Sequence, residues 1–231
     1  MSDQKAVTEM FDDISSHYDF LNHLLSFQID KIWRRKTSRV VASHRPTAIL
    51  DVATGTADLA IRMAKDSPTA NIIGVDLSEK MLEIGKQKVE QERLDQRIKL
   101  MTADAADLPF EDGCFDAVTV AFGVRNFERL ETGLQEMLRV LKDNGLLAVL
   151  EFSHPQRDMV KGPYRCYSKY ILPKVGRAFS KHPKAYSYLP SSIESFPESG
   201  DFVRLLKRLG VVEVKEETLF GGIATLYHGS M

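Results

Sequence analysis

Apolar residues recur along this chain in two alternating rhythms. Short, nearly continuous apolar runs appear at 48–52 (AILDV) and within ANIIGVDLS (70–78), RIKLMTADA (97–105), FDAVTVAFG (115–123) and NGLLAVLEFS (144–153). Between them lie stretches where apolar side chains return every three or four positions, such as ADLAIRMAKD (57–66) and EKMLEIGKQKVEQER (79–93). The first rhythm is that of buried strands, the second that of amphipathic helices. Local signals agree. Pro68 ends the first helix, Ser78 is placed to cap the second, and Glu79 and Glu83 suit its dipole. A further helix is predicted over about 129–142, with Asn144-Gly145 as the turn into the fifth strand.

Strands alternating with helices predict βαβ units and a mostly parallel sheet. Right-handed crossovers then bring the C-terminal ends of the strands to one edge, where ligands of such sheets bind. The stretch VAFGVRNFE (120–128) falls at that edge. Its apolar half continues the fourth strand, and Arg125 and Asn126 follow where the chain turns. The two readings are a plain surface turn and the wall of a site.

The flanks differ in pattern. Residues 4–43 read as helical, with breaks near Ser15-Ser16 and Ser26-Phe27. Residues 155–190 carry eight Lys or Arg against one acid, Asp158, with five tyrosines interleaved. That segment reads as a helical insertion, with either an ordinary solvated face or a membrane-surface patch. A helix over about 199–209 then leads to VVEVKEETL and GGIATLYHG, an expected antiparallel hairpin. The expected layout is one domain over 1–231: a helical lid (1–43), a cofactor-binding core (44–154), an insertion (155–198) and a closing helix and hairpin (199–231).

Composition narrows the class. The 231 residues are 43% hydrophobic with a formal net charge of −1, so the charge balance does not point to nucleic acid. Cys114 and Cys166 are far apart and lack metal-type spacing, so neither a disulfide framework nor a metal is expected. The N-terminus has no signal-peptide pattern, and no run reaches the roughly 20 apolar residues of a membrane span. A cytoplasmic protein, at most peripheral at the membrane's inner face, is the expectation.

Four carboxylates fall at or near strand ends: Asp51, Asp76, Asp104 and Glu151. Each has a job available around an adenosine-containing ligand. Gly55 permits a tight turn, and Asp76 stands about twenty residues beyond the Gly55-Thr56 turn, where a second-strand acid meets a ribose diol. Asp104 suits the adenine amino group. DVATGTAD lacks the glycine fingerprint of a dinucleotide site, and Asp58 behind the glycine suits a cationic ligand better than a diphosphate. S-adenosylmethionine (SAM), with a sulfonium, an ammonium and no phosphate, is such a ligand. A nucleotide-linked oxidoreductase is correspondingly disfavoured.

The chain resembles SAM-dependent methyltransferases of the seven-strand Rossmann-like α/β fold. More closely, it is similar to the ubiquinone/menaquinone biosynthesis C-methyltransferase family. YDFLNHLLSFQIDKIWRR (18–35), FGVRNF (122–127), RVLKDNGLLAVLEFS (139–153) and YLPSSIESFP (188–197) carry the resemblance. Two positions depart from the family pattern: Ala57 stands where glycine is usual, and Asp30 where histidine is frequent. The resemblance implies a SAM site built from Ala53, Gly55, Thr56, Asp76, Leu77, Asp104, Ala105 and Ala121. It implies methyl transfer to a ring carbon of a polyprenylated quinol, with demethylmenaquinol the expected substrate and a benzoquinol, or both, the alternative. A homodimer is compatible with it.

A ring carbon attacks better when the neighbouring hydroxyl loses its proton, so a base and an oxygen-stabilising group are needed. Arg125 and Asn126 are expected to hold the quinol oxygens, Arg125 electrostatically because its pKa is too high for a base. Tyr18, Asp19 and Asn22 are lid candidates, with Asp19, a water or His154 as proton acceptor. A nucleic-acid methyltransferase and a non-catalytic SAM-binding protein are the rivals. The first lacks its usual tetrapeptide or cysteine motif; intact FGVRNF and YDFLN argue against the second.

Overall fold

The computed structural model describes residues 7–10, 12, 13, 15, 28–153, 188 and 191–231. The helix α1 (Ile29–Ser43) precedes β1 (Ala48–Val52), α2 (Asp58–Asp66), β2 (Asn71–Asp76), α3 (Glu79–Gln91) and β3 (Ile98–Thr102). Then follow β4 (Phe115–Ala121), a 3-10 turn (Val124–Asn126), α4 (Leu130–Arg139) and β5 (Leu141–Phe152). After residue 190 come α5 (Ser199–Arg208), β6 (Val212–Leu219) and β7 (Ala224–Ser230).

Seven strands form one sheet in the order β3-β2-β1-β4-β5-β7-β6. β1 pairs in parallel with β2 and β4, and β7 runs antiparallel between β5 and β6. The winding reverses between β1 and β4, and their C-terminal ends open a crevice there. The central strands β1, β4 and the second half of β5 are buried on both faces, which explains their unbroken apolar runs, whereas the edge strands β3 and β6 are largely exposed. Their side chains alternate between two cores. Ile49 joins Trp33, Val41 and Met63 beneath α1 and α2, while Leu50 and Val52 join Met137 and Phe202 beneath α4 and α5.

Most predicted elements lie where expected. Ser78 caps α3, its hydroxyl accepting the Met81 N–H at 3.2 Å. Two boundaries differ. The helix expected to reach residue 142 stops at Arg139, because Leu141 is buried and pairs with Phe115 as the start of β5. Asn144-Gly145 is not a separate turn but part of a bulge: the β4–β5 register jumps from Phe115–Leu141 to Ala117–Leu146, with Asn144 left-handed at φ 60°.

Candidate active site

The β1–α2 loop is built on left-handed residues, with φ 51° at Ala53, 56° at Gly55 and 65° at Ala57. Glycine adopts such angles without strain, whereas alanine does so at a cost of about 1 kcal/mol. Ala57 thus holds a left-handed conformation that glycine adopts more readily. What fixes the loop is Asp76 at the end of β2, which accepts the Gly55 N–H at 2.8 Å and the Ser78 N–H at 2.9 Å, one on each oxygen. Burial pushes the Asp76 carboxyl up, against these backbone hydrogen bonds.

On the other side of the crevice, the chain leaves β4 through Phe122, also left-handed at φ 60°, and Gly123. A Cβ on Gly123 would stand 2.5 Å from that of Ala53, so only glycine lets the β1 and β4 rims approach this closely. Between the rims lies an open cleft of about 890 Å³, counted to its mouth and including the solvent-open part. Ala53, Gly55, Asp76, Leu77, Asp104, Ala105 and Ala121 all line it, together with Asn126 and, from the N-terminal helical segment, Val7 and Thr8. Asp104 turns one oxygen to its own loop, accepting the Ala106 N–H at 2.9 Å.

Three sequence-derived residues stand behind this wall. Thr56 is 3% exposed, and its hydroxyl accepts Lys88 Nζ at 3.2 Å. Asp58, expected to favour a cationic ligand, is ion-paired with the same Lys88. Asp51 points inward, taking the hydroxyls of Thr54 at 2.7 Å and Thr119 at 2.6 Å. It anchors the loop instead of facing a ligand, and burial pushes its carboxyl up to about 6.

Arg125 and Glu151 answer to each other. Arg125 Nη1 donates to Glu151 Oε1 at 2.7 Å and to the Phe122 carbonyl at 2.6 Å, and its Nε donates to Ser192 Oγ at 3.3 Å. The backbone N–H of Arg125 also reaches Glu151 Oε2 at 3.2 Å. This guanidinium braces the turn beneath the cleft. Asn126, one residue on, is the one that lines the cleft, and its Oδ1 accepts the Tyr188 hydroxyl at 3.0 Å. Tyr188, expected as one of the tyrosines of a membrane-surface segment, instead holds Asn126, and Ser78, expected only as a cap, also lines the cleft. Tyr18, Asp19, Asn22, His154 and all of 155–190 except Tyr188 lie outside the described residues.

The residues present fit SAM. A carboxylate with both oxygens fixed by backbone donors suits a diol, and the alanines leave room for a flat base. The α2 N-terminus, where a pyrophosphate would need its amides, instead carries Asp58. Among the described residues, no cluster of metal-type ligands occurs and no helix is long and apolar enough to cross a membrane.

The sequence pattern of the ubiE/COQ5 methyltransferase family matches residues 1–231. A demethylmenaquinone methyltransferase of Porphyromonas gingivalis is 45% identical over 224 residues, covering 96% of this chain and 91% of its own. The ubiquinone/menaquinone biosynthesis C-methyltransferase UbiE of Geotalea uraniireducens is 44% identical, covering 96% and 95%. Among solved structures, a SAM-dependent methyltransferase of Aquifex aeolicus superposes with a TM-score of 0.57 at 17% identity, covering 79% of this chain and 81% of its own. That likeness speaks for the fold.

Proposed function

The chain belongs to the ubiE/COQ5 methyltransferase family, and from that membership we propose that it methylates a ring carbon of a polyprenylated quinol, demethylmenaquinol in the first place. The observation that supports the reading is the cleft itself, whose lining includes Ala53, Gly55, Asp76, Leu77, Asp104, Ala105, Ala121 and Asn126. SAM supplies a methyl group already activated by its sulfonium, so the chain's work is to position, desolvate and deprotonate the acceptor.

In this reading Asp76 holds the ribose diol and Asp104 faces the adenine, while Ala53, Gly55, Leu77, Ala105 and Ala121 shape the pocket; Thr56 supports the loop from behind. Asn126 serves the quinol. With its carbonyl oxygen taken by Tyr188, its NH2 is the end left to donate to a ring oxygen and to stabilise developing phenolate charge. Arg125, paired with Glu151, acts as a positioning residue that braces the same turn. Asp19, His154 or a water are the proposed routes for the proton, with Tyr18 a further candidate from the lid. The enzyme would work in the cytoplasm at the inner face of the membrane, with 155–190 as one contact and a homodimer compatible.

The test is incubation with methyl-labelled SAM and a short-chain demethylmenaquinol, beside a benzoquinol analogue. Transfer to the naphthoquinol alone is expected. Transfer to the benzoquinol alone would move the chain to the other branch, and SAM binding without transfer to either would reject the enzymatic reading.

A further inference from the structure

Five large hydrophobic side chains stand exposed among the described residues, and the two most open are Ile32 at 65% and Phe220 at 62%. They come from distant parts of the chain but reach the same edge of the sheet. α1 starts at that edge, where Trp33 packs on Phe122 and Phe152, and ends at the opposite one, where His44 bonds the Asn144 carbonyl. Phe220 directly follows the C-terminal end of β6, and Ser153 at the end of β5 clamps that turn through the Gly222 and Ile223 carbonyls at 2.8 and 3.0 Å. The cleft opens at this edge.

Phe220 is held outward at a cost. Its φ is 46°, a left-handed angle that a bulky residue adopts only under strain. Its neighbours Leu219 and Ile223 pack into the core, so the turn exports one ring alone. Ile32 is flanked by exposed Lys31 and Arg35. The acid of that turn, Asp30, is 3% exposed and faces Arg34 at 3.7 Å. Lys36 bridges at 2.5 Å to Glu217 on β6, which ties the Ile32 face of α1 to the strand that ends at Phe220. Of the acids nearby on β6, Glu217 is engaged by Lys36 and His228, and Glu216 by Ser199. The outward surface thus combines two apolar tips with the exposed basic side chains of Lys31 and Arg35 beside Ile32.

We infer that Ile32 and Phe220, with Lys31 and Arg35, form a docking surface for an anionic lipid bilayer, which sets the mouth of the cleft against the membrane. Paired apolar tips beside basic side chains are the chemistry of interfacial anchoring, where apolar insertion and attraction to anionic headgroups add. This rests on the quinol reading, since a polyprenylated substrate resides in the bilayer and has to be met there. It assigns the contact to α1 and the β6–β7 turn, separately from 155–190.

The test uses the full chain and sedimentation with vesicles of equimolar phosphatidylglycerol and phosphatidylcholine, beside phosphatidylcholine alone. Binding to the anionic vesicles is expected to fall about tenfold or more in the Ile32→Ser/Phe220→Ser double variant. Lys31→Glu/Arg35→Glu is expected to lose the preference for anionic lipid. Phe220→Trp supplies a direct reporter, because Trp33 is the chain's single tryptophan and is buried: its emission should shift to the blue on anionic vesicles. Undiminished sedimentation of the double variant, or vesicle binding without a spectral shift, would overturn the proposal. So would a change of oligomeric state with lipid binding intact, which makes the surface a protein interface. Methyl transfer to a short-chain quinol in solution is read in parallel. It should be unchanged in these variants, and its absence in the wild type refutes the substrate reading while leaving the lipid measurement interpretable.

Discussion

Arg125 Nη1 lies 2.7 Å from Glu151 Oε1, with the two side chains 5% and 0% exposed. Both charges are out of water, so each depends on the other. Removing one partner of such a pair strands the other and costs roughly 3–5 kcal/mol. Arg125→Ala and Glu151→Gln are each expected to lower the unfolding free energy by about 3 kcal/mol, read by urea denaturation. The double variant Arg125→Met/Glu151→Gln should lose less than the two single losses combined. Turnover should fall in Arg125→Ala while SAM affinity changes little. A loss of SAM affinity as large as the loss of turnover would place the pair's influence on the cofactor side.

Gly123→Ala tests the approach of the two rims. The added methyl would meet Ala53 Cβ at 2.5 Å, and Val120 Cγ2 at 3.3 Å blocks retreat on the other side. Overpacking of this kind costs about 1–3 kcal/mol. Because Ala53 lines the cleft, SAM affinity measured by titration calorimetry should drop about tenfold as well. Wild-type affinity in this variant would mean that the β1 rim yields freely and does not shape the pocket.

In the proposed function, the hydrogen bond from Tyr188 to Asn126 sets which end of the amide is offered to the quinol. Tyr188→Phe removes one hydrogen bond and lets the amide turn. Turnover is expected to fall about fivefold to tenfold, with the KM for SAM unchanged. Asn126→Asp replaces the donor by a carboxylate that repels a developing phenolate, and should be the more severe variant. Equal turnover in Tyr188→Phe and wild type would show that Asn126 holds its orientation unaided.

How far the sequence led depended on whether a feature was local. The strand and helix rhythms, the Ser78 cap and the closing hairpin are written in neighbouring residues. Asp76 could be found because a strand-end acid and a glycine turn recur at a known spacing. Asp51 has the same local signature, yet it turns inward to Thr54 and Thr119, since its place in β1 points it between strands. The partners of Asp58 and Arg125 lie 30 and 26 residues away on other elements, so a charge expected to meet a ligand meets Lys88 or Glu151 instead. Leu141 ended a helix early because its strand partner Phe115 claimed it, a choice made by packing over propensity.

Asp51 gives the chain a definite pH signature. Its carboxyl, ordinarily near 3.8, is pushed up to about 6 by burial, against the hydroxyls of Thr119 and Thr54 and the charge of Arg34. The folded chain therefore keeps a proton that the unfolded chain gives up. The associated stability is fully present below about pH 4 and is lost as the pH rises through about 6, at most about 3 kcal/mol in all. Asp51→Asn imitates the protonated form at every pH. Asp76 is also raised, and its charge repels that of Asp51, so the difference between the two profiles reports Asp51 together with its coupling to Asp76. Unfolding free energies measured from about pH 4 to pH 7 should show the variant gaining on the wild type as the pH rises. A constant difference across that window would mean that Asp51 stays ionised in the fold, with the two threonine hydroxyls sufficient to hold its charge.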